Sequence, residues 1–221
     1  MVIIVLSFFL ALSNPIIDPL SDIDSTLKPL SGKKVLFVIS HRNFRDEELK
    51  ISKNMFEKLG ATSTIASSDT TIAKGMLEMK IKPDILLDSI NPLNFDALVF
   101  IGGGGARDYW DNKYLHSIIN LAFNKKKVIG AICFAPIILA RAGTLANTRA
   151  TVWEDKETKN IFKEERVILT SKDVETSGNI VTANSPEVSK PFAEAIVRLL
   201  LKRNLSQEHE IIDTESNEGK L

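Results

Sequence analysis

Cysteine is almost missing from this chain of 221 residues, which contains only Cys133. One thiol excludes an intramolecular disulfide framework and a cysteine-rich zinc site. Histidine is nearly as scarce: His41, His116 and His209 are scattered without metal-ligand spacing, so neither a metal nor a cofactor is expected. An excess of either charge is absent too. The 28 Lys and Arg balance 28 Asp and Glu, and this neutrality leaves no electrostatic footprint for nucleic acid. No apolar run is long enough to span a bilayer. The longest, residues 2–12, is broken by Ser7. What remains is 44% hydrophobic and 25% charged, the composition of a soluble globular domain with tails.

Residues 2–12 read as the core of a signal peptide, with Ala11 and Ser13 as small residues before a cut near Asn14. The leader carries no Lys or Arg, and the alternative is a strand or helix packing on the domain. Export follows from the first reading and cytoplasmic residence from the second. Pro15, Pro19 and Pro29 mark residues 14–32 as a linker, the domain proper spans 33–203, and residues 204–221 form a polar, acidic tail expected to be disordered.

Within the domain, residues 34–40, 96–101 and 128–132 are apolar runs of strand length, the pattern of strands buried on both faces, and residues 61–67 read as a further strand. Residues 41–46 read as a polar loop. Helical stripes follow over 46–59 (Leu49, Met55, Phe56, Leu59) and 112–124 (Leu115, Ile118, Ile119, Ala122, Phe123). A last helix carries Phe192, Ala195, Ile196, Leu199 and Leu200 on one face. Residues 70–91 form an irregular excursion, in which 76–80 read as a hairpin strand or a helical turn and 83–88 as a short strand. Residues 149–153, 166–170 and 179–183 are further short strands. Alternating strands and helices predict an α/β fold, a flavodoxin-like doubly wound and mostly parallel sheet with helices on both faces.

Ligands in such sheets bind beyond the carboxyl ends of the strands. Three features converge there: the loop after Ser40, the glycine run from Gly102 to Gly105, and Cys133 directly after the apolar run 128–132. The glycines let backbone N–H groups approach a ligand, although no Gly-Lys-Ser/Thr follows to make a phosphate loop. Cys133 has Ala131 and Ala135 two positions to either side, the small residues that a sharp strand-to-helix turn needs. This is the pattern of a nucleophile elbow with Cys in place of Ser. A helix over 134–141 would place the sulfur at a helix N-terminus, where thiolate is favoured. The alternative is a small apolar residue at a strand end.

Four segments occur in an order that resembles the DJ-1/PfpI (ThiJ/PfpI) superfamily, of class I glutamine amidotransferase-like fold. They are Phe44-Arg45-Asp46-Glu47-Glu48-Leu49, Phe100-Ile101-Gly102-Gly103-Gly104, Ala131-Ile132-Cys133-Phe134-Ala135-Pro136, and residues 178–186 before the last helix. The resemblance implies that Cys133 is the nucleophile and that Glu48 hydrogen-bonds its thiol. It further implies that the backbone N–H groups of Gly103 and Phe134 form an oxyanion hole. A carboxyl partly desolvated beside a thiolate should have a raised pKa and stay protonated. His41, Gly102, Gly104 and Trp153 are candidate pocket residues, with His41 as a candidate base. The implied activity is that of a glutathione-independent glyoxalase or deglycase acting on small reactive aldehydes, with isonitrile hydration as a relative of that chemistry. Redox sensing and a chaperone-like role without turnover are the alternatives. Cysteine-protease chemistry is disfavoured, because Phe134 stands where protease-type relatives carry His. The resemblance also implies a homodimer.

Overall fold

A run that is apolar at every position has no face to offer water, so it becomes a strand in a sheet covered on both sides. The structure, a computed structural model, describes residues 28–218, with side chains through Arg203. The expectations for residues 1–27 lie outside the described residues. In chain order, β1 (Lys34–Val38) is followed by β2 (Arg42–Phe44), α1 (Asp46–Lys58) and β3 (Thr62–Ser67). The excursion then forms β4 (Ala73–Gly75), β5 (Lys80–Ile81) and β6 (Ile85–Leu86) before β7 (Ala97–Phe100). After a 3-10 turn over Gly104–Tyr109 come α2 (Lys113–Asn124), β8 (Val128–Ile132) and the short α3 (Pro136–Arg141). The chain ends with β9 (Arg149–Ala150), α4 (Lys156–Glu164), β10 (Ile168–Leu169), β11 (Val174–Ser177), β12 (Ile180–Ala183) and α5 (Ser189–Glu218).

Seven strands form the main sheet in the order β11-β12-β8-β7-β1-β3-β6, parallel throughout except for β11, which runs antiparallel to β12. The chain winds outward from β1 to β3 and β6, then returns on the other side of β1 to lay down β7, β8 and β12. The reversal puts a topological switch point between β1 and β7, where ligands bind in open α/β sheets.

The strands show why both faces are covered. Val35, Phe37 and Ile39 point into a core with Leu49 and Phe56 of α1 and with Phe192, Ile196 and Leu200 of α5. Leu36 and Val38 point the other way, into a core with Leu115 and Ile119 of α2, Ile137 and Leu139 of α3, and Phe162 of α4. Each large side chain so buried contributes about 1.5–3 kcal/mol. Local signals set the helix ends. Asp46, Glu47 and Glu48 occupy the first turn of α1 and Lys58 the last, complementing its dipole. The Asn112 side chain accepts from the Leu115 N–H to cap α2, and Asp155 and Thr158 form a reciprocal capping box on α4.

Some local expectations are corrected. The loop at 41–46 contains β2, which pairs with β4 in a small three-stranded sheet. Residues 76–79 are neither strand nor helix but the turn of the β4–β5 hairpin. Residues 149–150 and 168–169 pair with each other in a separate two-stranded ladder, outside the main sheet. Helix α4 and strand β11 were not anticipated. Helix α5 extends to Glu218.

Gly104 and Gly105 make opposite predictions. A Cβ on Gly105 would fall on the Arg42 carbonyl oxygen and the Ser40 side chain, whereas one on Gly104 would meet nothing within 4 Å. Urea unfolding should show Gly105→Ala destabilised by about 1–3 kcal/mol and Gly104→Ala within about 0.5 kcal/mol of the parent. Equal midpoints for the two variants would contradict this packing.

Candidate active site

The carboxyl ends of β1, β7 and β8 lie side by side, and each delivers one part of a single site. From β1 the chain passes through β2 into α1, whose buried stripe is Leu49, Ser52 and Phe56. Glu48 stands beside Leu49 at the edge of that stripe and is fully buried. From β7 it passes straight into the glycine run. From β8 it turns sharply at Cys133, which is 5% exposed and adopts φ +60°. A non-glycine residue in this region costs about 1–2 kcal/mol. Its backbone is held on both sides: the Cys133 N–H donates to the Ala183 carbonyl at 2.9 Å, and the Trp153 N–H donates to the Cys133 carbonyl at 2.9 Å. Ala131 and Ala135 are fully buried around the turn, as the elbow requires.

The glycines are what allow these parts to meet. The Gly102 N–H donates to Glu48 Oε2 at 2.7 Å. A Cβ on Gly102 would stand 2.5 Å from the Ile132 carbonyl oxygen, 2.7 Å from Cys133 Cβ and 3.0 Å from Glu48 Oε2, so any side chain there would separate the thiol from the carboxyl. Gly103 has φ +90° and packs directly on the backbone of Asn43 to Arg45. That conformation turns its N–H toward the Cys133 sulfur, which also receives the Phe134 N–H. The Gly104 N–H instead donates to Met76 Sδ at 3.5 Å, so the hairpin turn rims the glycine loop. This hairpin is anchored to α1, where the Asp46 carboxylate accepts the N–H groups of Leu77 and Met79.

Burial dominates the electrostatics. Withdrawal from water pushes the Glu48 carboxyl up to about 8, against the opposing pull of the Gly102 N–H, the Cys133 thiol and the Arg45 charge. Its second oxygen, Oε1, is buried without a conventional hydrogen-bond partner. Burial likewise pushes the thiol up to about 12, with the negative charge of Glu48 adding to it and the Gly103 and Phe134 N–H groups opposing. Around neutral pH both groups therefore hold their protons. The raised carboxyl agrees with expectation. The lowered thiol does not: α3 begins only at Pro136 and spans six residues, too little dipole to offset desolvation of the sulfur.

The structure thus gathers Cys133, Glu48, Gly102, Gly103 and Phe134, while His41 Nε2 lies 3.4 Å from Thr71 Oγ1. Trp153 forms part of the wall, 41% exposed, with its ring 6.2 Å from that of Phe134. The sequence reading passed over Arg107 and Trp110. Trp110 Nε1 donates to the Phe134 carbonyl at 3.0 Å. Arg107 lies over the Trp110 and Phe134 rings, 4.6 and 4.5 Å from their centroids. Neither has a periodic or motif signal beyond following the glycine run. Among the described residues no group of three or more His, Cys, Asp or Glu could hold a metal, and no helix is long and apolar enough to cross a membrane.

Comparison with known proteins places this geometry in context. A model described as the DJ-1/PfpI family matches residues 33–199. A protein of Methanocaldococcus jannaschii is 35% identical over 79% of this chain and 86% of its own length. A deglycase of Pyrococcus horikoshii is 29% identical over 76% of the chain and 99% of its own. A glutathione-independent glyoxalase of Caenorhabditis elegans is 24% identical over 76% of the chain and 89% of its own. Among solved structures, a ThiJ/PfpI domain protein of Brachyspira murdochii superposes with a TM-score of 0.73, at 33% identity over 76% of this chain and 98% of that one.

Two measurements test the pair. From about pH 4.5, where an exposed glutamate ionises, to about pH 8, the folded chain holds a Glu48 proton that the unfolded chain has released. Stability should therefore fall as pH rises through that window, and Glu48→Gln should abolish this part of the slope. A denaturation series that gives parallel profiles for the two proteins would contradict the assignment. Iodoacetamide trapping provides the second: removing the carboxylate should lower the apparent thiol pKa, so Glu48→Gln should react faster than the parent above pH 8. Identical rate profiles would mean that the carboxyl and thiol are uncoupled.

Proposed function

The chain belongs to the DJ-1/PfpI family, and on that premise we propose that it is an enzyme of small reactive carbonyls, a glutathione-independent glyoxalase or deglycase working through Cys133 and Glu48. The observation that carries this reading is the buried carboxyl, raised to about 8, beside the only thiol of the chain. A general base works best with a pKa near the working pH. Glu48 meets that condition while an exposed glutamate would not.

The chemistry follows from these positions. Ionised Glu48 takes the thiol proton as sulfur attacks the aldehyde carbon of methylglyoxal, so S–H breaks as S–C forms. The Gly103 and Phe134 N–H groups stabilise the oxygen that gains negative charge. Glu48 returns that proton to the oxygen and completes the hemithioacetal. It then takes the proton of the former aldehyde carbon to give an enediolate; the hydroxyl proton passes to the former ketone oxygen, and Glu48 delivers its proton to the carbon bearing that oxygen, which leaves a lactoyl thioester. Water hydrolyses the thioester to lactate and returns the thiol. No net oxidation occurs, and one water is consumed.

A raised thiol pKa fits this scheme, because deprotonation and attack occur together and no standing thiolate is needed. It counts against the redox-sensor alternative, which relies on a thiolate present before the oxidant arrives. The names of the relatives, deglycase and glutathione-independent glyoxalase, support the same chemical class.

The test is lactate formation from methylglyoxal without glutathione. The parent should turn over, Cys133→Ser should fall to background, and Glu48→Gln should lose about 10²–10⁴-fold in kcat. Lactate production that survives Cys133→Ser would sink the proposal.

A further inference from the structure

Phe134 directly follows the thiol, and its side chain can neither donate nor accept a proton. It is nevertheless fastened from several directions. Its N–H is directed at the Cys133 sulfur. Its carbonyl accepts from Trp110 Nε1 at 3.0 Å. Its ring lies against Trp110 and Trp153, with centroids 6.3 and 6.2 Å away, and carries the Arg107 guanidinium 4.5 Å above its centroid. Arg107 is itself tethered, with Nη2 3.3 Å from Asp155 Oδ2 and Nη1 donating to Glu157 Oε2.

The tethers join parts of the site that are far apart in sequence. Arg107 belongs to the 3-10 turn that starts immediately after Gly103, the source of one N–H on the sulfur. Phe134 supplies the other. Asp155 and Glu157 lie at the start of α4, and Asp155 is already committed to the capping box there. With a carboxylate at each of two guanidinium nitrogens, the plane of the fork is set and its face rests on the rings. Two acids beside one base also leave this group no surplus positive charge with which to bind an anionic substrate.

We propose that Arg107 is a positioning residue for the nucleophile: stacked on Phe134 and tied to Asp155 and Glu157, it holds the Phe134 and Gly103 N–H groups in register on the Cys133 sulfur and the oxygen that develops beside it. The proposal rests on Cys133 being the nucleophile, but not on the identity of the substrate. Arg107 touches neither the reacting atoms nor the sulfur. Its effect passes through the Phe134 backbone, and small displacements of catalytic groups are costly in rate.

The test compares the parent with Arg107→Ala, Arg107→Lys and Glu157→Gln, using readouts that report on different links. Both tryptophans of the chain, Trp110 and Trp153, lie against Phe134, so intrinsic fluorescence reads the cluster directly. Iodoacetamide reaction of Cys133, followed across pH, reads the register of the N–H groups without any substrate. In Arg107→Ala the tryptophan emission should shift and thiol alkylation at fixed pH should slow by about tenfold. Methylglyoxal kcat should fall by about ten- to a hundredfold, with KM within about twofold of the parent because ground-state binding is untouched. Lysine restores the charge but not the planar fork, so Arg107→Lys should recover only part of the loss.

A folded Arg107→Ala whose emission shifts while its alkylation profile stays that of the parent would overturn the proposal and leave Arg107 a packing residue. Should Arg107→Ala not fold, Glu157→Gln decides by the same measure: slower alkylation supports the proposal and an unchanged rate overturns it. If the parent does not turn over methylglyoxal, the alkylation series still judges Arg107, so the two readings fail separately.

Discussion

A thiol and a carboxyl, both withheld from water, face each other where the sheet changes its winding direction between β1 and β7. In water neither would be unusual. Buried, each resists ionising; a charge on Glu48 makes ionisation of the thiol harder still, whereas the thiol proton favours the ionised carboxyl. Burial of the two groups together defines the site. The pair behaves as a shared store of protons, and the Gly103 and Phe134 N–H groups are the principal forces drawing negative charge onto the sulfur.

The surrounding architecture serves that contact. Gly102 lacks a side chain because one would sit between Cys133 and Glu48, and Gly103 adopts a conformation that L side chains rarely take. The strained backbone of Cys133 is clamped by hydrogen bonds to Ala183, at the end of β12, and Trp153, beyond β9. The β4–β5 hairpin closes one side of the glycine loop, and the aromatic cluster on Arg107 closes the elbow side. Strain at Cys133 persists because structure on every side over-determines it.

Three central strands of the main sheet were legible in the apolar runs at 34–40, 96–101 and 128–132, because a strand buried on both faces must be apolar along its length. The elbow was legible because a tight turn admits only small residues at 131 and 135. Less legible were features that depend on partners distant in sequence. Strand β2 consists of Arg42, Asn43 and Phe44, and nothing in those residues shows that β4 will pair with them. Helix α4 carries only Ile161 and Phe162 as large apolar residues, and its clearest mark is the Asp155–Thr158 capping box. His41 looked available as a base because it follows β1 directly, yet its ring partners Thr71.

By itself, the sequence determined the alternating α/β order, the parallel sheet and the placement of a lone cysteine at a strand end, since periodicity and residue size are local properties. The tertiary structure alone decided that Glu48 is buried beside that cysteine, that the thiol is raised rather than lowered, and that Arg107 stacks on Phe134. The reason is physical. Desolvation and charge coupling depend on which atoms exclude water from a group, and those atoms come from segments up to 85 positions apart, as from Glu48 to Cys133.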